Sequence, residues 1–105
     1  MADKLKTNEI KAARGRILRL LNSVYPSTVE VRTIHNVLIE EGRSNISEMP
    51  RYIDYLAGKG YVKTISEEDA AQLLKGIVPP SAFIRLTPLG VDLVEGTIED
   101  PGVDV

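Results

Sequence analysis

His35 is the only imidazole in a chain that has no cysteine. That pair of facts excludes disulfides, thiolate metal sites, cysteine nucleophiles and any metal cluster that needs two imidazoles. His35 itself sits beside the apolar face of a helix and reads as a satisfied, partly buried side chain, not as a ligand or a base. The carboxylates Glu40-Glu41 and Glu67-Glu68 are adjacent in sequence, so neither pair shares one helical face and both read as solvated ends. Ser27, Ser47, Ser66 and Thr87 fall where hydroxyls cap helices, and no glycine-rich loop follows a strand to cradle phosphate. The expectation is a protein that is not an enzyme and needs no cofactor.

What remains for function is charge. Residues 1–21 carry Lys4, Lys6, Lys11, Arg14, Arg16 and Arg19 against Asp3 and Glu9, whereas residues 92–105 carry Asp92, Glu95, Glu99, Asp100 and Asp104 with no basic residue. A basic first helix suits phosphate, and an acidic end either screens that helix or faces a basic partner. The chain has a formal charge of −2, and its 105 residues suit one small domain with no room for a second. No apolar run approaches the roughly 18 residues of a membrane span and the start is charged, so a soluble cytoplasmic chain with no membrane partner is expected.

The elements follow from periodicity and punctuation. Ile10, Ala13, Ile17, Leu20, Leu21 and Val24 form one stripe on a helix over about 8–23. Gly15 within it costs about 1 kcal/mol against alanine, so the stripe needs a tertiary partner. After Tyr25-Pro26, residues 28–30 suit either a short strand or a first helical turn; extended is preferred, with a helix from Val31 to about 41 that stops at Gly42. A third helix over about 47–58 takes Ser47 as its cap, buries Met49, Ile53 and Leu56, and turns Ser47, Glu48, Arg51, Tyr55 and Lys59 outward. Runs at about 61–65 and 82–86 alternate as half-buried strands and should pair antiparallel. Between them Ser66 and the acidic turn Glu67, Glu68, Asp69 begin a helix to about Lys75. Thr87-Pro88 opens a last short helix that Gly96 ends, and residues 97–105 read as a mobile acidic tail, since Asp100-Pro101-Gly102 cannot continue a helix.

Ile53-Asp54-Tyr55-Leu56-Ala57-Gly58-Lys59-Gly60-Tyr61-Val62 resembles the passage from recognition helix to wing in winged helix-turn-helix domains. Leu86-Thr87-Pro88-Leu89-Gly90-Val91-Asp92-Leu93 is similar to the L-T-x-x-G-x-x-L entry to the helix after the wing in regulators of the multiple-antibiotic-resistance and phenolic-acid-repressor kinds. The stretch Gly90 to Val103 resembles the ending of small proteins of Mu-like phages and prophages. The resemblance implies an α+β winged helix over 1–96, a three-helix bundle with a two- or three-stranded antiparallel wing, a wing insert at about 66–81 and a C-terminal helix. It further implies a DNA-binding regulator or phage accessory factor whose third helix enters a major groove.

By position, the candidate DNA-binding residues are Ser44, Asn45, Ser47, Glu48, Arg51, Tyr55 and Lys59, with Lys11, Arg16 and Arg19 of the first helix toward phosphate. Residues 22–65 balance five basic with five acidic side chains, and the expected wing tip is acidic, so a monomer should bind DNA weakly. A homodimer would double the contacts, and Leu18, Leu73, Leu74 and Ile77 are apolar positions off the expected core that could serve it. The alternative is a winged helix for protein contact or self-assembly, with little DNA affinity. Tyr55 stays open between a contact on the exposed face and packing under the wing.

Overall fold

The structure is a computed structural model and describes residues 4–43 and 48–105. Along the chain come α1 (Lys4–Ser23), β1 (Val29–Glu30), α2 (Val31–Glu40), α3 (Met49–Gly58), β2 (Val62–Thr64), α4 (Glu67–Leu74), β3 (Phe83–Leu86) and α5 (Pro88–Val94). Among the described residues, five helices and a small antiparallel sheet make a mixed α+β domain.

Lysine, leucine and glutamate are good helix formers, and α1 begins at Lys4, ahead of its apolar stripe. Ala13, Ile17 and Leu21 are buried along that stripe, while Val24 lies past the helix end and is exposed. Leu18 corrects an expectation. Placed by sequence off the core and available to another copy, it is 0% exposed. α1 packs against α2, α3 and α5 at once, so a second face of the helix is covered, and one amphipathic stripe does not reveal a second cover.

The sheet order is β1-β3-β2, with both pairings antiparallel. Val62 faces Leu86 and Thr64 faces Ile84, which puts Ile84 and Leu86 into the core and Lys63 and Arg85 on the outer side. β1 adds Val29 opposite Ile84 and Glu30 opposite Phe83, so residues 29–30 take the extended alternative and α2 starts at Val31. Ser27, placed by sequence where a hydroxyl caps a helix, does not cap α2: Glu30 holds the N-cap position, with no side-chain bond. Two hydroxyl caps form as expected. Ser66 Oγ accepts from the Asp69 amide at 3.0 Å to start α4, and Thr87 Oγ1 accepts from the Gly90 amide at 3.1 Å to start α5. Ser47, the expected cap of α3, lies outside the described residues.

α4 contacts β2 but buries none of its residues fully. Leu73 is half-buried and Leu74 is 92% exposed, so only one of the two leucines gains cover from the domain.

The segment expected to be a mobile tail is part of the body. Val103 is 6% exposed and belongs to the core cluster. The Asp104 amide donates to the Lys11 carbonyl at 3.1 Å, and Arg14 Nη1 donates to the Gly102 carbonyl at 3.1 Å. Gly15 admits this approach, because a Cβ there would lie 1.6 Å from the Asp104 carbonyl oxygen. The glycine that weakens α1 as a helix is thus the place where another segment crosses it backbone to backbone.

Asp100 anchors the crossing. Its carboxylate accepts from the Tyr61 hydroxyl at 2.6 Å and from the Gly102 amide at 2.8 Å, with Lys59 Nζ 3.5 Å away. The Tyr61 hydrogen bond, aided by the Gly102 amide and Lys59, holds the Asp100 carboxyl below the usual carboxylate range against an opposing desolvation. Burial first, then the bond to Asp100, push the Tyr61 phenol up to about 12.

These shifts set a pH window. A depressed carboxyl contributes stability that is present above its unfolded value of about 4 and lost as pH falls through the lower folded value. A raised phenol contributes stability that is present below about 10 and lost as pH rises toward the folded value. Denaturant midpoints of the native chain and of Asp100→Asn, followed from acid to alkaline pH, should therefore converge at acid pH and differ most near neutrality. A constant difference across the acid range would show that Asp100 ionisation is not coupled to folding.

Candidate nucleic-acid interface

α3 buries Met49, Tyr52, Ile53 and Leu56, a spacing that leaves Pro50, Arg51, Asp54 and Gly58 exposed on its other side. The Arg51 side chain is 83% exposed, and its Nη1 lies 2.9 Å from Glu48 Oε2 one turn back. An exposed pair of this kind is worth little and breaks readily for a better anion. Ser44, Asn45 and Ser47 lie outside the described residues.

The side chains of Arg16, Arg19 and Lys59 are engaged by the protein itself. Arg16 holds Glu41 with two nitrogens, Nε at 3.0 and 2.9 Å and Nη2 at 2.7 Å, which fastens α1 to the end of α2. That contact raises the Arg16 guanidinium above its ordinary range and lowers the Glu41 carboxyl. Arg19 Nη1 donates to the Asp104 carbonyl at 3.3 Å, Lys11 is half-buried with its carbonyl taken by the Asp104 amide, and Lys59 faces Asp100. Of the basic candidates, Arg51 is the one left most open to solvent.

Tyr55 packs inward, though not under the strands. Its ring is covered by the Arg14 guanidinium, 3.6 Å from the ring centroid, with Lys59 Nζ at 5.6 Å. A Cβ added at Gly102 would come within 2.2 Å of the Tyr55 hydroxyl oxygen, so the 100–104 segment lies against it. Arg14, Glu48, Arg51, Tyr52 and Tyr55 line a depression of about 270 Å³ between α1 and α3. There the first and third helices present charged and aromatic groups together.

Two cations that the sequence reading does not single out lie on the outer face of the sheet, one of them, Lys63, beside α3. Lys63 and Arg85 are direct partners across β2 and β3, and neither side chain makes an ion pair or hydrogen bond with a described residue. Like charges placed opposite each other on a sheet repel. Asp54, Ala57 and Gly58 of α3 line one groove of about 370 Å³ with Val62, Lys63 and Leu73, so Lys63 borders the exposed side of the helix. The signal was present in the sequence: alternation puts Lys63 and Arg85 on the face opposite Val62, Ile84 and Leu86, but their opposition needs the register, which alternation alone leaves unset.

Of the apolar positions proposed for contact between copies, Leu18 is in the core, Leu73 is half-buried, and Leu74 and Ile77 are exposed. No helix among the described residues is long and apolar enough to cross a membrane. Comparison with known proteins finds no family model, no curated protein and no solved structure that matches this chain.

Proposed function

We propose that this chain is a winged helix that binds double-stranded DNA, with α3 in the major groove and the β2–β3 strands beside it on the backbone, and that it serves as a small transcriptional regulator or a phage or prophage accessory factor. The fold reading is supported by the strand order β1-β3-β2, with α3 leading directly into β2. The observation that carries the DNA reading is the outward cation pair Lys63 and Arg85, without an acidic partner among the described residues, of which Lys63 borders the open face of α3 with its exposed Arg51. Phosphate would relieve the repulsion within that pair, and the N-terminal part of a recognition helix is where base contacts are made. The acidic first turn of α4 and the internal engagement of Arg16, Arg19 and Lys59 argue for modest affinity.

Titration of duplex DNA at about 50 and about 200 mM salt tests this, since phosphate contacts make affinity fall steeply between the two. Lys63→Ala with Arg85→Ala should weaken all sequences alike and flatten the salt slope by about 2, whereas Arg51→Ala should cost about 1–3 kcal/mol on a preferred site. Affinity that none of the three substitutions alters would overturn the reading.

A second reading, docking to a protein or to another copy, is favoured by Leu74, which stands 92% exposed at the end of α4 with Ile77 half exposed nearby in sequence. On that reading DNA affinity is poor at every salt concentration, and Leu74→Ser lowers the sedimentation coefficient without lowering the melting temperature.

A further inference from the structure

The segment from Asp100 to Asp104 lies across basic and aromatic residues of α1 and of the end of α3 that stand beside Arg51 as further candidates for DNA. Asp100 takes the Lys59 ammonium, the Asp104 backbone takes Arg19 and the Lys11 carbonyl, and Gly102 takes Arg14, whose guanidinium covers Tyr55. Arg14, Arg19 and Lys59 are thus held through their side chains, and Lys11 through its carbonyl alone, by one acidic stretch of the same chain that also lies against Tyr55. The stretch is built to seat there. Gly15 opens the path, Val103 enters the core, and Tyr61 fixes Asp100. It is also held at separate points instead of by a continuous apolar face: apart from Val103, the residues from Asp100 to Asp104 are aspartate, proline and glycine.

We infer that this segment is an intramolecular strap that competes with DNA for the cations of α1 and α3, so that DNA binding and strap docking oppose each other. The inference rests on the DNA reading above. Lysine and arginine side chains held by a carboxylate or a carbonyl cannot at the same time release counterions from a phosphate, so each cation the strap holds is subtracted from the electrostatic part of binding. Opposition must be mutual: if the strap weakens DNA binding, DNA must loosen the strap by the same factor. Lys63, Arg85 and Arg51, which the strap does not touch, would then bind in the closed form, and Lys59 and Arg19 would join in the open one.

The test pairs a released variant with a measurement on the unaltered chain. Asp100→Asn combined with Val103→Ser removes the anchor charge and the apolar plug. Its affinity for a duplex at about 50 mM salt should rise about threefold to tenfold, and its salt slope should steepen by about 2 as Lys59 and Arg19 engage. Because that variant could lose its fold, hydrogen exchange is followed in the native chain as well. The Gly102 and Asp104 amides, which donate to Asp100 Oδ1 and the Lys11 carbonyl, should exchange faster when duplex DNA is saturating. Exchange that slows or stays constant while DNA is bound overturns the strap and leaves the DNA reading standing, as does a folded released variant with unchanged affinity. If neither the native chain nor a folded released variant binds duplex at low salt, the DNA reading itself has failed and the strap with it.

Discussion

Gly15→Ala is expected to destabilise the domain by about 1–3 kcal/mol, the cost of overfilling a packed contact, although alanine is the better helix former by roughly 1 kcal/mol. The new methyl would meet the Asp104 carbonyl oxygen at 1.6 Å and its carbon at 2.5 Å. Both are backbone atoms, which cannot swing aside as the end of a side chain can. The chain has two ways out, to shift the segment as a unit or to let it leave α1, and the measured loss is the cheaper of the two. A chain shortened to end at Asp100 separates them. There the obstruction is gone, and Gly15→Ala should raise stability, so the sign of the effect reverses between the two backgrounds. Urea unfolding of the four proteins measures this, and an alanine that stabilises the full chain would show that no backbone contact exists at this point.

Gly90→Ala carries the second large effect. A Cβ at Gly90 would stand 2.4 Å from the Tyr61 carbonyl oxygen and 2.7 Å from Leu86 Cδ1. That carbonyl accepts from the Thr87 amide at 2.9 Å, and the Thr87 hydroxyl donates to the Gly60 carbonyl while accepting from the Gly90 amide. The start of α5 is therefore tied to the start of β2 from both sides of the obstruction. A loss of about 1–3 kcal/mol is expected, which in a domain of this size lowers the melting temperature by about 4–8 °C per kcal/mol. Gly58 is the control, since nothing lies within 4 Å of its Cβ position. Equal melting temperatures for Gly90→Ala and Gly58→Ala would mean that α5 does not approach β2 as closely as described.

Local rules carried the sequence reading where local forces decide. Ser66 and Thr87 satisfy orphan amides within their own first turn, and Gly42, Gly60, Gly76 and Gly96 take positive φ where helices stop. Such features depend on residues only a few positions apart. Leu18 and Val103 went the other way because each is buried by distant segments that periodicity along one helix does not register. The clue to the crossing is Gly15, a poor residue inside a strong helix: its cost calls for packing, and the sequence does not name the partner. The candidate site divided in the same manner. The outward face of α3 follows from its period, and Arg51 sits on it. The engagement of Arg16 by Glu41, of Lys59 by Asp100 and of Tyr55 by Arg14 depends on how helices meet, so the basic face drawn from charge counts alone is larger than the one left open to a ligand.

The sheet order has a consequence for solubility. β3, the longest strand at four residues, lies in the centre, and the two edges are β1 with two residues and β2 with three. An edge that short offers an incoming chain too few backbone groups to extend the ladder, so neither edge is a template for runaway β-pairing. Side-chain surfaces, which single substitutions can strengthen or abolish, are then the route that the sheet leaves more open to association with another copy.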